Sequence, residues 1–364
     1  MTDVATDSLL LRMTQGTTTE WWNDSCDVDD LARAIDQGAT GATSNPGIVH
    51  EVLKRHRAHW TARVLDLAAA NPTWSEVELT WAVAEEMVAN AAAVLEPVFV
   101  THGGRNGRVT VQVNPVNYRD PARMVEQAIH LSGLAKNIQV KFPATAAGVV
   151  AIEEATRHGI NIMATVSFTV PQAIAAAEAV ERGLRRREEA GHDVSGMTPI
   201  VVLMIGRLDD WMKAVVERDD LAVEPAAPAW AGIAVFKRTY GIFGERGYRS
   251  RLLSAAYRNP LHWSELVGGD LMMTLTPQWQ TRINGSGLGL DSRIQRPVDP
   301  AILAELTQRI PDFGRAYEPD GLTPAEFDAY GATARTLRAF IGSYHDLLAT
   351  VRDIVLPNPD LRTS

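Results

Sequence analysis

Eight short β-rich runs recur along the chain, and a helical pattern or a long connection separates each from the next. They are EWWND (20–24), TGATSN (40–45), RVTVQVN (108–114), IQVKF (138–142), NIMATVSF (161–168), PIVVLMIG (199–206), RLLSAAY (251–257) and DLMMTLT (270–276). Strands joined by helical crossovers pair in parallel, and a parallel sheet needs helices on its faces. Eight of them predict a (β/α)₈ barrel with additional helices. A doubly wound open sheet is the competing architecture, and the absence of a Gly-rich phosphate loop after an early strand counts against it.

Between the runs lie helix signals with a shared logic. Asp27 caps a pattern with Leu31 and Ile35 on one face and Gly38 as its stop. Asn45–Pro46 and Asp120–Pro121 each place a capping side chain before a proline at the first helical position. In the second of these, Met124, Val125, Ala128 and Ile129 form the expected apolar stripe. A further helix is expected from Thr145 to Gly159. A plain barrel needs roughly 250 residues, so a chain of 364 carries more. The expectation is one barrel domain over 1–364, with helical insertions at about 55–105 and 181–250 and a C-terminal helical extension at about 298–364. Residues 327–356 read as one long amphipathic helix able to lie across the barrel mouth, and 284–297 as a glycine-rich surface loop.

Composition narrows the functional classes. Hydrophobic residues at 46% allow a large core, and a formal charge of −9 argues against a nucleic-acid or anionic-membrane partner. The single cysteine, Cys26, excludes an internal disulfide or a multi-thiolate metal site. The start, MTDVATDSLLLRMTQG, carries acids where a secretory signal has lysines, and no run approaches the ~20 apolar residues of a membrane span. A cytoplasmic protein is expected.

Barrel enzymes carry their chemistry at the C-terminal ends of the strands. Those ends read Asp24, Asn45, Gln112 with Asn114, Lys141, Thr165, Arg207 and Arg258. Lys141 is the informative one, because it stands in an otherwise apolar strand. Burial there favours the neutral amine, which can attack a carbonyl and form a Schiff base. The alternative is a lysine that snorkels out or pairs with an acid. Asp24 suits a general base or a helix cap, and Asn45 suits ligand binding or a cap. Thr165 is also an ordinary strand residue. Two arginines at successive strand ends are better evidence for an anion site than either alone.

Together, GATSNPGIV (41–49), VKFPATAAGVVAIEEATRHGIN (140–161), GRLDDW (206–211) and AAYRN (255–259) resemble the transaldolase family, from about Trp22 to Pro277. The resemblance implies that Lys141 attacks the C2 ketone of a ketose phosphate. Asp24 would take the C4 hydroxyl proton as C3–C4 breaks. Asn45 would hold the C1 hydroxyl, Thr165 the water of iminium formation, and Arg207 and Arg258 the phosphate. It implies no cofactor and no metal. Sugar phosphates or other ketose and aldose substrates are the expected partners, with a homodimer as the assembly allowed for.

The pattern also departs from the family. The glutamate that activates the catalytic water in transaldolases is Gln112 here, as in the related fructose 6-phosphate aldolases. The tyrosine on strand six that those aldolases use is Met204, and the usual asparagine on strand five is Met163. Two phosphate-side serines align with Val202 and Ala256. Three readings follow: a transaldolase-type transferase retuned for a particular sugar, an aldolase releasing the free three-carbon ketone, and a catalytically weak sugar-binding barrel. On sequence alone, Gln112→Glu raises transaldolase turnover if the missing carboxylate limits the rate. An unchanged rate from the folded variant would mean that another residue already handles the water.

Overall fold

The computed structural model describes residues 8–360. Its centre is a closed barrel of β1 (Glu20–Asn23), β2 (Gly41–Ala42), β3 (Arg108–Gln112), β4 (Ile138–Pro143), β5 (Ile162–Thr165), β6 (Ile200–Leu203), β7 (Arg251–Ser254) and β8 (Met272–Leu275). All neighbours are parallel, and β8 closes on β1 with Glu20 opposite Met272 and Asn23 opposite Leu275. Helix α1 (Leu9–Gly16) precedes β1, and α2 (Val28–Asp36) follows it. Three helices, α3 (Pro46–Arg55), α4 (Arg57–Ala70) and α5 (Glu76–Thr101), separate β2 from β3. Then α6 (Pro121–Ser132), α7 (Ala146–Arg157), α8 (Val170–Glu189), α9 (Ile205–Arg218), α10 (Ala231–Arg246) and the short α11 (Leu261–Ser264) alternate with the remaining strands. After β8 come α12 (Pro277–Asn284), α13 (Pro300–Arg309), α14 (Pro311–Tyr317) and α15 (Gly331–Val355). No helix among the described residues is long and apolar enough to cross a membrane.

The caps form as the sequence dictates. Asp27, Asn45, Asp120 and Thr145 each accept a backbone N–H in the first turn of their helices, satisfying donors that the helix itself leaves unpaired. Several expectations need correction. Ile129 is half exposed on the outer side of α6, away from the buried Met124, Val125 and Ala128. The stretch 181–250 is not one insertion, since β6, α9 and α10 are part of the barrel's own alternation. Residues 324–329 form a separate 3₁₀ turn, so the long C-terminal helix starts only at Gly331. Strands β5 and β7 stop short of their apolar runs because Val166 and Ala256 adopt φ of 52° and 67°. These left-handed conformations turn the chain out of the sheet at its C-terminal rim.

Helix α15 is fixed over that rim from both ends. Gly331 abuts Trp211 so closely that an added Cβ would lie 2.0 Å from the indole. Trp211 in turn donates to Asp312 at 2.8 Å, and the Tyr330 hydroxyl donates to the Asp312 carbonyl at 3.1 Å. Near the other end, Arg352 pairs with Glu76 of α5, and His50 of α3 bonds Thr350 at 2.9 Å. Gly331→Ala is expected to destabilise the fold by about 1–3 kcal/mol through overpacking. Gly342→Ala, where an added Cβ meets nothing within 4 Å, is expected to stabilise it by up to about 1 kcal/mol. Chemical denaturation of the two variants beside the parent chain measures both.

Candidate active site

Every residue of β4 is buried, and Pro143 ends the strand. Lys141 therefore reaches the barrel interior with little choice of environment. Its register partners are Gln112 on β3 and Met163 on β5, so these three side chains share the inward face. Lys141 is 7% exposed, and its Nζ makes one hydrogen bond among the described residues, to the Ser44 carbonyl at 3.1 Å. Burial pushes the amine down from the ordinary 10.5 to about 8, and the Asp24 carboxylate opposes part of that shift. A lysine so placed is partly neutral near physiological pH.

A cavity of about 340 Å³ opens from Lys141 to the C-terminal rim of the barrel. Asp24, Asn45, Thr165, Arg207 and Arg258 line it together with Lys141. Asp24 accepts a hydrogen bond from Thr43 Oγ1 at 2.5 Å, and Thr43 bonds Thr274 at 2.7 Å. A carboxylate fixed this way is oriented rather than free to swing. Asn45 serves both readings offered for it: its Oδ1 caps α3 by accepting from Ile48 N at 3.1 Å, and the residue borders the cavity. Thr165 ends β5, with its hydroxyl 3.9 Å from the Met204 sulfur.

The arginines differ from each other. Arg207 is half-buried in the first turn of α9, with its guanidinium over the Phe340 ring at 5.3 Å and no hydrogen bond or ion pair among the described residues. Burial and the nearby Arg258 lower its proton affinity, with Asp210 and Asp24 opposing them in part, so a bound anion would supply the direct partner this guanidinium lacks. Arg258 is more exposed and is paired with Asp210 at 2.8 Å. Its loop is held close to α9 because Gly206 has no side chain; a Cβ there would lie 1.9 Å from the Ala256 carbonyl. Behind the loop, fully buried His262 bonds Asp209 at 2.7 Å, and its Nδ1 accepts from Arg258 N at 3.1 Å. Because Nδ1 is an acceptor, Nε2 carries the proton donated to Asp209.

Two expected residues stand apart from this cavity. Gln112 lines a smaller one of about 30 Å³, shared with Ser44 and Asn45. Asn114 points its Oδ1 at Val116 N and caps a 3₁₀ turn; it borders neither cavity. The lining also contains residues that strand-end reading missed. Thr43 and Thr274 sit inside runs that look like plain strand, with no local signal to mark them. Trp279 and Phe340 come from α12 and α15, so only the tertiary fold brings them to the rim. A larger concavity, about 820 Å³, opens at the opposite end of the barrel, where Arg251 is tied to Glu20 and Asp270. The cations in its lining, Arg105, Lys237, Arg249 and Arg251, each have an acidic partner. Asp27, Asp29 and His56 cluster on the outer side, but Asp27 is already committed to capping α2 and to His56 at 2.5 Å.

Comparison with known proteins agrees with this geometry. The sequence profile of the transaldolase/fructose-6-phosphate aldolase family matches residues 21–308. A transaldolase of Mycolicibacterium smegmatis is 27% identical over 80% of this chain and 85% of its own length. One from Thiobacillus denitrificans is 27% identical over 88% and 92%. Transaldolase 1 of Streptomyces coelicolor is 30% identical over 68% and 73%.

The depressed Lys141 also leaves a signature in stability. The folded state gives up this proton near pH 8 and the unfolded chain near 10.5, so between those values the unfolded chain binds more protons. Stability must then rise with pH across that window and be lowest below it. Lys141→Met is expected to be more stable than the parent chain at pH 7, by on the order of 3 kcal/mol. The difference should shrink toward pH 10.5, as read from denaturation midpoints at a series of pH values.

Proposed function

The chain belongs to the transaldolase/fructose-6-phosphate aldolase family, and from that premise we propose that it moves a dihydroxyacetone unit from a ketose phosphate to an aldose acceptor through a Schiff base on Lys141. The observation that carries this reading is the near-complete burial of Lys141 in a cavity that also holds Asp24. The free amine attacks the C2 carbonyl, and loss of water gives an iminium. Asp24 removes the C4 hydroxyl proton, C3–C4 breaks, and the bonding electrons flow into the iminium to give an enamine. The aldose fragment leaves, and the enamine carbon then attacks the acceptor aldehyde by the reverse path. Asn45 binds the C1 hydroxyl, Thr165 supports the water, and Arg207 with Arg258 receives the phosphate.

The anion end supports a retuned donor preference. Val202 and Ala256 line the cavity, where hydroxyl side chains would each contribute about 1 kcal/mol to an anion. Arg258 is engaged by Asp210, which leaves Arg207 as the uncommitted cation of the pair. An aldolase that releases free dihydroxyacetone is the second reading, favoured by Gln112 in place of a carboxylate.

Borohydride reduction in the presence of fructose 6-phosphate or sedoheptulose 7-phosphate, followed by intact mass, tests the proposal. The expected result is a three-carbon adduct that is absent from Lys141→Ala. Turnover should require an added aldehyde; release of dihydroxyacetone without one favours the aldolase. A folded chain that forms no adduct with phosphorylated or unphosphorylated ketoses overturns the Schiff-base reading.

A further inference from the structure

Arg258 reaches the cavity rim from a loop whose shape is decided elsewhere. Its guanidinium leans on its own backbone, with Nη1 donating to the carbonyls of Ala256 and Tyr257 at 3.1 Å each. The position of this cation is therefore the position of the loop. The loop in turn hangs on one buried imidazole. Arg258 N donates to His262 Nδ1 at 3.1 Å, and the other ring nitrogen meets Asp209 Oδ2 at 2.7 Å. Asp209 is itself fully buried, two residues after Arg207 on α9. Its Oδ1 accepts from Gly232 N at 2.9 Å, in the first turn of α10. Both carboxylate oxygens thus face N–H donors, so Asp209 serves as an acceptor only. Burying such a charge is costly, yet neither Asp209 nor His262 borders the Lys141 cavity, and no reaction step uses them.

A neutral imidazole has one N–H and one bare nitrogen, and its partners decide which is which. Asp209 claims the N–H for Nε2, so the bare Nδ1 turns to Arg258 N. The Asn259 amide nitrogen, 3.2 Å from Nε2 and oriented by Leu261 N on its Oδ1, suits the opposite tautomer. That tautomer would set a ring N–H against Arg258 N–H and leave Asp209 Oδ2 without a donor, so two contacts outweigh one. From this geometry we infer that Asp209 is a positioning residue for phosphate recognition: by fixing the His262 tautomer it clasps the Arg258 loop to the helix that carries Arg207. The inference rests on the reading of those two arginines as the phosphate ligands. Two like charges have no attraction of their own to hold them at a set separation, and the clasp supplies it from behind. Asp209→Asn breaks this logic while keeping the shape. With its oxygen kept on Gly232 N, the new amide nitrogen donates to Nε2, and the ring proton must move to Nδ1, where it confronts Arg258 N–H. With the amide reversed, it confronts Gly232 N–H instead.

The test uses the full chain with fructose 6-phosphate as donor, glyceraldehyde as acceptor and inorganic phosphate as a competing anion. Its variants are Asp209→Asn and His262→Gln, whose amide can still reach Asp209 but offers Arg258 N no acceptor. Each is expected to raise the KM for the donor and the inhibition constant of phosphate by about tenfold, the effect of one hydrogen bond to a charged group, with kcat near that of the parent chain. A merely structural role would instead lower kcat through loss of active chain and leave KM and the inhibition constant unchanged. Nitrogen NMR of the histidine-labelled parent chain reads the tautomer directly, and His262→Gln identifies the signal. Protonated Nε2 with bare Nδ1 is the expected pattern, reversed in Asp209→Asn. A parent His262 protonated on Nδ1, or parent-like KM and phosphate inhibition in either folded variant, overturns the clasp. A parent chain that shows no turnover, or none that inorganic phosphate inhibits, removes the premise about the two arginines, and the inference falls with it even where the tautomer is as expected.

Discussion

The free energy of hydrating one ammonium group organises this molecule's chemistry. Lys141 sits where water cannot reach it in bulk, with one carbonyl acceptor and one carboxylate in its field. A protonated lysine there would be under-solvated, so the equilibrium moves toward the amine. Strand β4 makes this unavoidable: it is buried throughout, and its neighbours β3 and β5 leave the side chain nowhere to go but inward. The Asp24 carboxylate tempers the effect by favouring the charged form. Burying this group costs the folded state stability wherever it must carry its proton.

Around that amine, the rest of the rim is held by devices that do not touch it. Thr43 and Thr274 orient Asp24. The buried Asp209–His262 pair ties α9 to the loop carrying Arg258, and Gly206 lets that loop approach. Burial raises the proton affinity of Asp209, and the His262 hydrogen bond opposes it. The Arg258 guanidinium is held by Asp210 and the carbonyls of Ala256 and Tyr257, and that of Arg207 lies over the Phe340 ring.

Much of the fold was legible because barrels repeat one rule. Alternating runs and capped helices marked all eight strands and the helices after Asp27, Asn45, Asp120 and Thr145. Strand lengths were overestimated where Val166 and Ala256 leave the sheet with positive φ. Nothing in a β-branched or alanine residue announces such a turn. In the site, Lys141 stood out because charge in an apolar strand has few explanations. Asn114 shows the converse, since a polar residue just past a strand serves a turn as readily as a ligand, and here it caps one. Thr43, Thr274 and Phe340 were invisible because their roles depend on partners distant in sequence, which periodicity does not report.

The position of α15 has a consequence in time. Lys141, Asp24 and Gln112 belong to the first half of the chain, whereas Phe340 and Tyr344, which complete the two cavities, are near its end. Chains fold as they emerge, and contacts between distant segments form late. A chain that has closed most of its barrel thus still lacks that outer wall until α15 docks. The strands supply the groups at the floor of the chamber, and a helix distant from them in sequence supplies its outer wall.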